Sequence, residues 1–197
     1  MSDARPRLAQ RLARRALRLV GWSPLGERPL EEKFVLIAAP HTSNWDLPLM
    51  LLLAIHFDLS ISWVGKHTLF RRPFGGLMRW LGGIAVDRRA HHDLVAHLSE
   101  VFANAERLVI AVPAEGTRGR TEHWKSGFYW IARGAGVPIV LGTLDYATKR
   151  GGFGPTLRPT GNVAADMDLI RAFYADKVGL HPEKFGPVRL ADESGRS

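Results

Sequence analysis

The chain has 197 residues, 46% of them hydrophobic and 23% charged, with 20 glycines and 12 prolines; that balance suits one globular domain with a sizeable core and excludes a disordered chain. A formal charge of +8 and a sequence pI near 10.4 ask for an anionic partner: nucleic acid, anionic lipid or a phosphorylated substrate. The absence of cysteine excludes disulfides, cysteine-ligated metal sites and zinc fingers, and leaves a reducing cytoplasm as the simpler setting.

Residues 1–25 read as a basic amphipathic helix. Arg5, Arg7, Arg11, Arg14, Arg15 and Arg18 stand there against Asp3 alone, so the first 20 residues supply +5 of the +8. At 100° per residue, Leu8, Leu12, Ala16, Leu19 and Val20 gather on one side, widened by Ala9, Ala13 and Leu17, while the arginines from Arg7 onward fill the other. Trp22 closes the segment. Two readings stay open, and both can hold in one molecule: residues 5–20 lie on an anionic membrane surface, or the leucines pack on the domain and the arginines face water. No long apolar core follows the basic residues, so a secretory signal is not expected. The longest apolar run, 47–55, falls far short of the ~20 residues that span a bilayer, and no transmembrane helix is expected.

Residues 26–32 read as a connection. Beyond it the pattern predicts a strand over 34–39, a helix over 46–57, a strand over 61–65, an irregular segment to 81 and a strand over 83–86. A helix over 93–105, a strand over 108–112, a helix over 127–134, strands over 138–146 and near 156–163, and a helix over 166–178 complete it. Such alternation argues for an α/β fold, a mostly parallel sheet flanked by helices, with sites at the carboxyl ends of strands. There is no internal repeat. Residues 191–197 read as a polar, frayed tail.

Three stretches carry chemistry. In Ala39-Pro40-His41-Thr42-Ser43-Asn44-Trp45-Asp46, His41 and Asp46 sit where a strand hands over to a helix. The helix dipole favours an ionised Asp46, which can reach back across the turn to His41 and leave the other ring nitrogen basic. The alternative is that His, Ser, Asn and Asp are there because such residues cap helices. In Gly82-Gly83-Ile84-Ala85-Val86-Asp87-Arg88-Arg89, a buried strand ends in Arg88, whose guanidinium can hold a phosphate or bridge to a surface carboxylate. In Pro113-Ala114-Glu115-Gly116-Thr117-Arg118, Gly116 permits a turn whose amides converge on an anion, Thr117 adds a hydroxyl and Arg118 a positive charge. Glu115 there can orient an arginine or accept a hydroxyl.

In this order, the three stretches resemble the glycerophospholipid acyltransferase family, which includes 1-acyl-glycerol-3-phosphate acyltransferases. The likeness runs from about residue 34 to 146. It takes in His41 and Asp46, Lys66 through Pro73 to Gly83 and Arg88, the Glu115 to Arg118 block, Lys125-Ser126-Gly127, and Val137-Pro138-Ile139. Departures from the family's commonest pattern are Pro40 before His41, Ala114 before Glu115, and Leu141 after Val140. The resemblance implies an acyltransferase domain over 26–190, with His41 as general base and Asp46 as its partner. It further implies that Arg88, Glu115, Gly116, Thr117 and Arg118 bind the acceptor's phosphate, and that Lys66 and Lys125 contact donor or substrate. No metal and no cofactor are expected. The acyl group would come from acyl-CoA or acyl-carrier protein as co-substrate and pass to the hydroxyl of a lysophospholipid, most simply one like lysophosphatidic acid. The enzyme would sit peripherally on the cytoplasmic face of a membrane.

Other features weigh less. His91, His92, Asp93, His97 and Glu100 suggest a metal set, but the spacing fits a solvated helix face better. Lys149, Arg150 and Arg158 can hold a donor's phosphates or form a plain basic rim. No nucleotide-binding glycine fingerprint and no Gly-x-Ser-x-Gly elbow occurs. Two alternatives remain open: the same chemistry on another lyso-lipid, such as a lyso-aminolipid or a glycolipid, or a non-enzymatic basic module that binds anions. Nucleic acid is not the expected partner, because the aromatic and basic interleaving of a single-strand binder is missing.

Overall fold

The computed structural model describes residues 7–86 and 91–193. In chain order it contains α1 (Leu8–Leu19), β1 (Ser23–Leu25), β2 (Lys33–Ala38), α2 (Asp46–His56), β3 (Ile61–Lys66), α3 (Gly75–Trp80), β4 (Gly83–Val86) and α4 (His91–Asn104). β5 (Leu108–Val112), α5 (Gly127–Ala135), β6 (Ile139–Asp145), β7 (Arg150–Leu157) and α6 (Val163–Tyr174) follow, with short 3₁₀ turns at His67–Phe70 and Pro182–Lys184.

The strands form one sheet in the order β1-β7-β6-β2-β5-β3-β4, parallel throughout except where β7 runs antiparallel to β6. β2 lies at its centre with Phe34 to Ile37 buried, because both sheet faces are covered and an alternating pattern would strand polar groups in the core. One layer holds α4, α5 and α6, whose Leu98, Phe102, Phe128 and Met167 pack on Val35, Ile37, Ile110 and Ile139. α2 covers the opposite face, where Ala54 meets Phe34, Leu36, Val109 and Val140. α1 docks on that side through Leu17, which joins Trp22, Leu49, Leu53 and Leu144. After β2 the chain builds to one side with β3, β4 and β5, then to the other with β6 and β7. A crevice therefore opens beyond the carboxyl end of β2, the place where sheets of this kind bind ligands.

Two expectations are corrected. The strand expected near 156–163 is β7, Arg150–Leu157, and Val163 instead begins α6, where the Asn162 side chain accepts a hydrogen bond from the Ala165 N–H at 3.2 Å. Gly151, Gly152 and Pro155 had hidden β7, since such residues usually break strands. Here Gly152 is required, because a Cβ would lie 2.1 Å from the Leu25 carbonyl oxygen of the adjoining β1. The basic segment 1–25 carries its helix at Leu8–Leu19, and its last residues, Ser23–Leu25, form β1. The segment expected to be irregular up to 81 contains α3, six residues whose two glycines conceal its helical character.

Candidate active site

Asp46 opens α2 and is buried, yet its carboxylate has four partners. Oδ2 accepts the N–H groups of Thr42 and Ser43 at 2.9 Å each and lies 3.2 Å from His41 Nδ1, while Oδ1 accepts the Tyr146 hydroxyl at 2.8 Å. Burial works against its charge, but the bonds from His41, Ser43 and Tyr146 outweigh it and hold the carboxyl below the usual aspartate range. Simple helix capping does not account for this geometry. The bonded amides precede the helix, and the N-cap residue, Trp45, makes no side-chain cap bond. An ionised carboxylate is acceptor only, so the proton of the imidazole resides on Nδ1 and Nε2 carries the free lone pair.

Glu115 follows β5 and meets the same turn. Both of its carboxylate oxygens accept the His41 N–H, at 3.1 and 3.0 Å, and the side chain is 2% exposed. Burial pushes its pKa up to about 7, opposed by the bond from the His41 N–H. Its observed neighbour is thus the backbone beneath the imidazole. Gly116 takes φ 71°, a left-handed conformation that lets the chain turn back, and the aliphatic stem of Lys125 lies over it. Thr117 Oγ1 accepts the Gly119 N–H at 3.2 Å, and Arg118 Nη1 donates to Asn44 Oδ1. The loops after β2 and β5 are stitched together at the carboxyl edge of the sheet. His41, Asp46, Glu115, Gly116, Thr117, Arg118 and Lys125 are therefore neighbours. Lys66 ends β3 at the same edge, in register with Val86 of β4, and Arg88 lies outside the described residues.

From this polar rim a cavity of about 620 Å³ runs beneath α2. His41, Asn44, Thr117 and Arg118 stand at one end, and Leu36, Met50, Leu53, Ile61, Trp63 and Phe153 line its body. Its size falls within the range of small-molecule sites, and its walls suit a hydrocarbon chain. Among the described residues, no cluster of histidines and carboxylates is arranged to hold a metal.

Sequence reasoning missed Tyr146. It stands 100 positions from Asp46, and its ring packs edge-on against Trp22 at 4.8 Å. No local signal announces such a bond. A carboxylate buried at a turn does need donors, however, and an aromatic hydroxyl at the carboxyl end of a neighbouring strand was an available one.

A family model described as Acyltransferase matches residues 25–141, more than half of the chain. Among solved structures, the 1-acyl-sn-glycerophosphate (LPA) acyltransferase, PlsC, from Thermotoga maritima matches with a TM-score of 0.51 and 18% identity, covering 78% of this chain and 68% of that chain. At that identity the likeness establishes a common fold. No curated protein matches the chain.

Proposed function

The chain belongs to the acyltransferase family, and from that premise we propose that it moves a fatty acyl group from an acyl thioester to the free hydroxyl of a lysophospholipid, most simply one like lysophosphatidic acid. The observation that carries this reading is the His41–Asp46 pair at 3.2 Å, set at the mouth of an apolar cavity. A hydroxyl is a weak nucleophile until its proton is taken, whereas a thioester is already reactive, so a positioned base supplies the missing step.

In the proposed reaction, His41 Nε2 takes the acceptor's hydroxyl proton as the oxygen attacks the thioester carbonyl. A C–O bond forms, the C–S bond breaks, and the proton passes from Nε2 to the leaving thiolate. Atoms balance: an alcohol and a thioester become an ester and a thiol. Asp46 keeps the ring turned and stabilises the imidazolium. The acyl chain occupies the cavity beneath α2, and Arg118, with Thr117 and the amides around Gly116, faces the acceptor's phosphate, assisted by Arg88. Glu115 supports the His41 turn from below. Coenzyme A or an acyl-carrier protein would bear the acyl group, and residues 5–20 would hold the enzyme on an anionic, cytoplasmic membrane face.

The experiment is a lipid analysis by mass spectrometry after mixing purified protein, a pool of acyl thioesters and a panel of lyso-lipids. Acylation confined to phosphate-bearing acceptors is expected. Equal acylation of phosphate-free lyso-lipids would overturn the role given to Arg118, and no acylation of any acceptor would overturn the activity.

A further inference from the structure

We infer that the turn and helix spanning 71–80, far along the sheet from α1, form a second contact with an anionic bilayer, inserting Phe74, Leu77 and Trp80 between the headgroups. These three residues recur at helical spacing on one stripe and are 66%, 49% and 80% exposed. Beneath them α3 is pressed onto the preceding turn, for a Cβ on Gly75 would lie 2.0 Å from the Phe70 carbonyl oxygen. The outer stripe is therefore presented by a seated helix.

Charge identifies the occupant. Residues 59–86 contain Lys66, Arg71, Arg72 and Arg79 and no carboxylate. Arg71, Arg72 and Arg79 are exposed, and among the described residues none of them has an ion pair. Exposed Trp, Phe and Leu ringed by arginines match the chemistry of an anionic lipid interface, where aromatic rings sit at headgroup depth and guanidinium groups meet phosphate. An acidic protein would engage the arginines but leave the apolar stripe without a counterpart. Position agrees with the lipid choice: Met78, on the inner side of α3, lines the cavity that α2 roofs. α3 thus connects the cavity wall to the surface, on the sheet face that also carries α1.

Such docking would serve the lipid chemistry proposed above, and it is measured without that chemistry. Because the chain has no cysteine, Leu77→Cys in the full chain takes a single environment-sensitive nitrobenzoxadiazole label, with Leu169→Cys, exposed on α6 of the opposite face, as the control. Vesicles of phosphatidylcholine and phosphatidylglycerol, without thioester or lyso-lipid, should shift the label at 77 to the blue and leave the label at 169 unchanged. Trp80→Glu should lower vesicle partition by about tenfold. A silent label at 77 on protein that pellets with vesicles would assign all docking to α1 and overturn the inference, as would no vesicle binding at all. A blue shift produced by an acidic carrier protein in place of vesicles would overturn it in favour of a protein partner. With no substrate present, neither failure bears on acyl transfer, and a protein that inserts but does not transfer leaves the docking intact.

Discussion

Asp46 is held by four donors although a single imidazole would suffice to orient it, and the added bonds set both its charge and its position. The Tyr146 hydroxyl is the one that can be removed alone. Tyr146→Phe keeps the ring against Trp22 and deletes a hydrogen bond to a charged group, a class of bond that contributes about 1.5–3 kcal/mol. We expect kcat to fall by roughly tenfold with KM unchanged, measured in steady state. A rise in KM alone would give Tyr146 a substrate-binding role instead. Glu115 makes a second, opposite prediction. Its folded pKa of about 7 lies above the ordinary 4.5, so between those values the folded chain keeps a proton that the unfolded chain has released. The Glu115 contribution to stability is therefore full below 4.5 and is lost as pH rises through about 7. The effect is on the order of 3 kcal/mol. Glu115→Gln retains an oxygen for the His41 N–H and should flatten the curve of unfolding free energy against pH in that window. Asp46 has the reverse sign: its contribution is present above 3.8 and is lost as pH falls through its lower folded value. At this scale the sequence was readable where partners are near in the chain. His41 and Asp46 are five residues apart and share a turn, whereas the bonds from Glu115 to His41 and from Tyr146 to Asp46 join residues brought together only by the sheet.

Among the elements, α1 and α2 show how one helix can serve two surfaces. Ala13 and Leu17, four residues apart, turn inward, while Leu8, Leu12 and Leu19 remain exposed beside the arginines. Leu17→Ala should cost about 2–5 kcal/mol, as other buried leucine truncations do, read as a lower denaturant midpoint. Removing Leu8 and Leu12 should leave that midpoint in place. α2 roofs the cavity through Leu47, Met50, Leu53 and Ala54. Ala54→Phe would fill part of it, so transfer of long acyl chains should fall more than transfer of short ones, measured with thioesters of graded length. Equal loss for all lengths would mean that the cavity does not receive the chain. Element prediction succeeded where apolar runs are continuous, as in β2, β5 and β6. It failed at β7, where Gly152 lets the backbone approach the adjoining β1 and Gly151 leaves room for the Leu53 and Leu144 side chains, and at α3, too short and glycine-rich for helical periodicity to stand out.

Across the whole molecule, the strand order explains why residues far apart in sequence meet. β2 and β5 lie side by side and parallel, so the loops bearing His41 and Glu115 leave the sheet at one edge, and β6 on the other side of β2 brings Tyr146 to it. The alternation of strands and helices predicted a mostly parallel sheet flanked by helices, but not the order of strands, which depends on how the two layers of helices pack. The apolar cavity was equally illegible, since it is made of residues that each read as ordinary core. The catalytic claim rests on His41 taking a proton from an acceptor bound beside a thioester. Its most direct test is the time course of thiol release from an acyl thioester, with and without lysophosphatidic acid, for the native chain and for His41→Ala. We predict release that depends on the acceptor in the native chain and falls by roughly 10² to 10⁴ in the variant, with an unchanged circular dichroism spectrum. Acceptor-dependent release at the native rate from folded His41→Ala would contradict it.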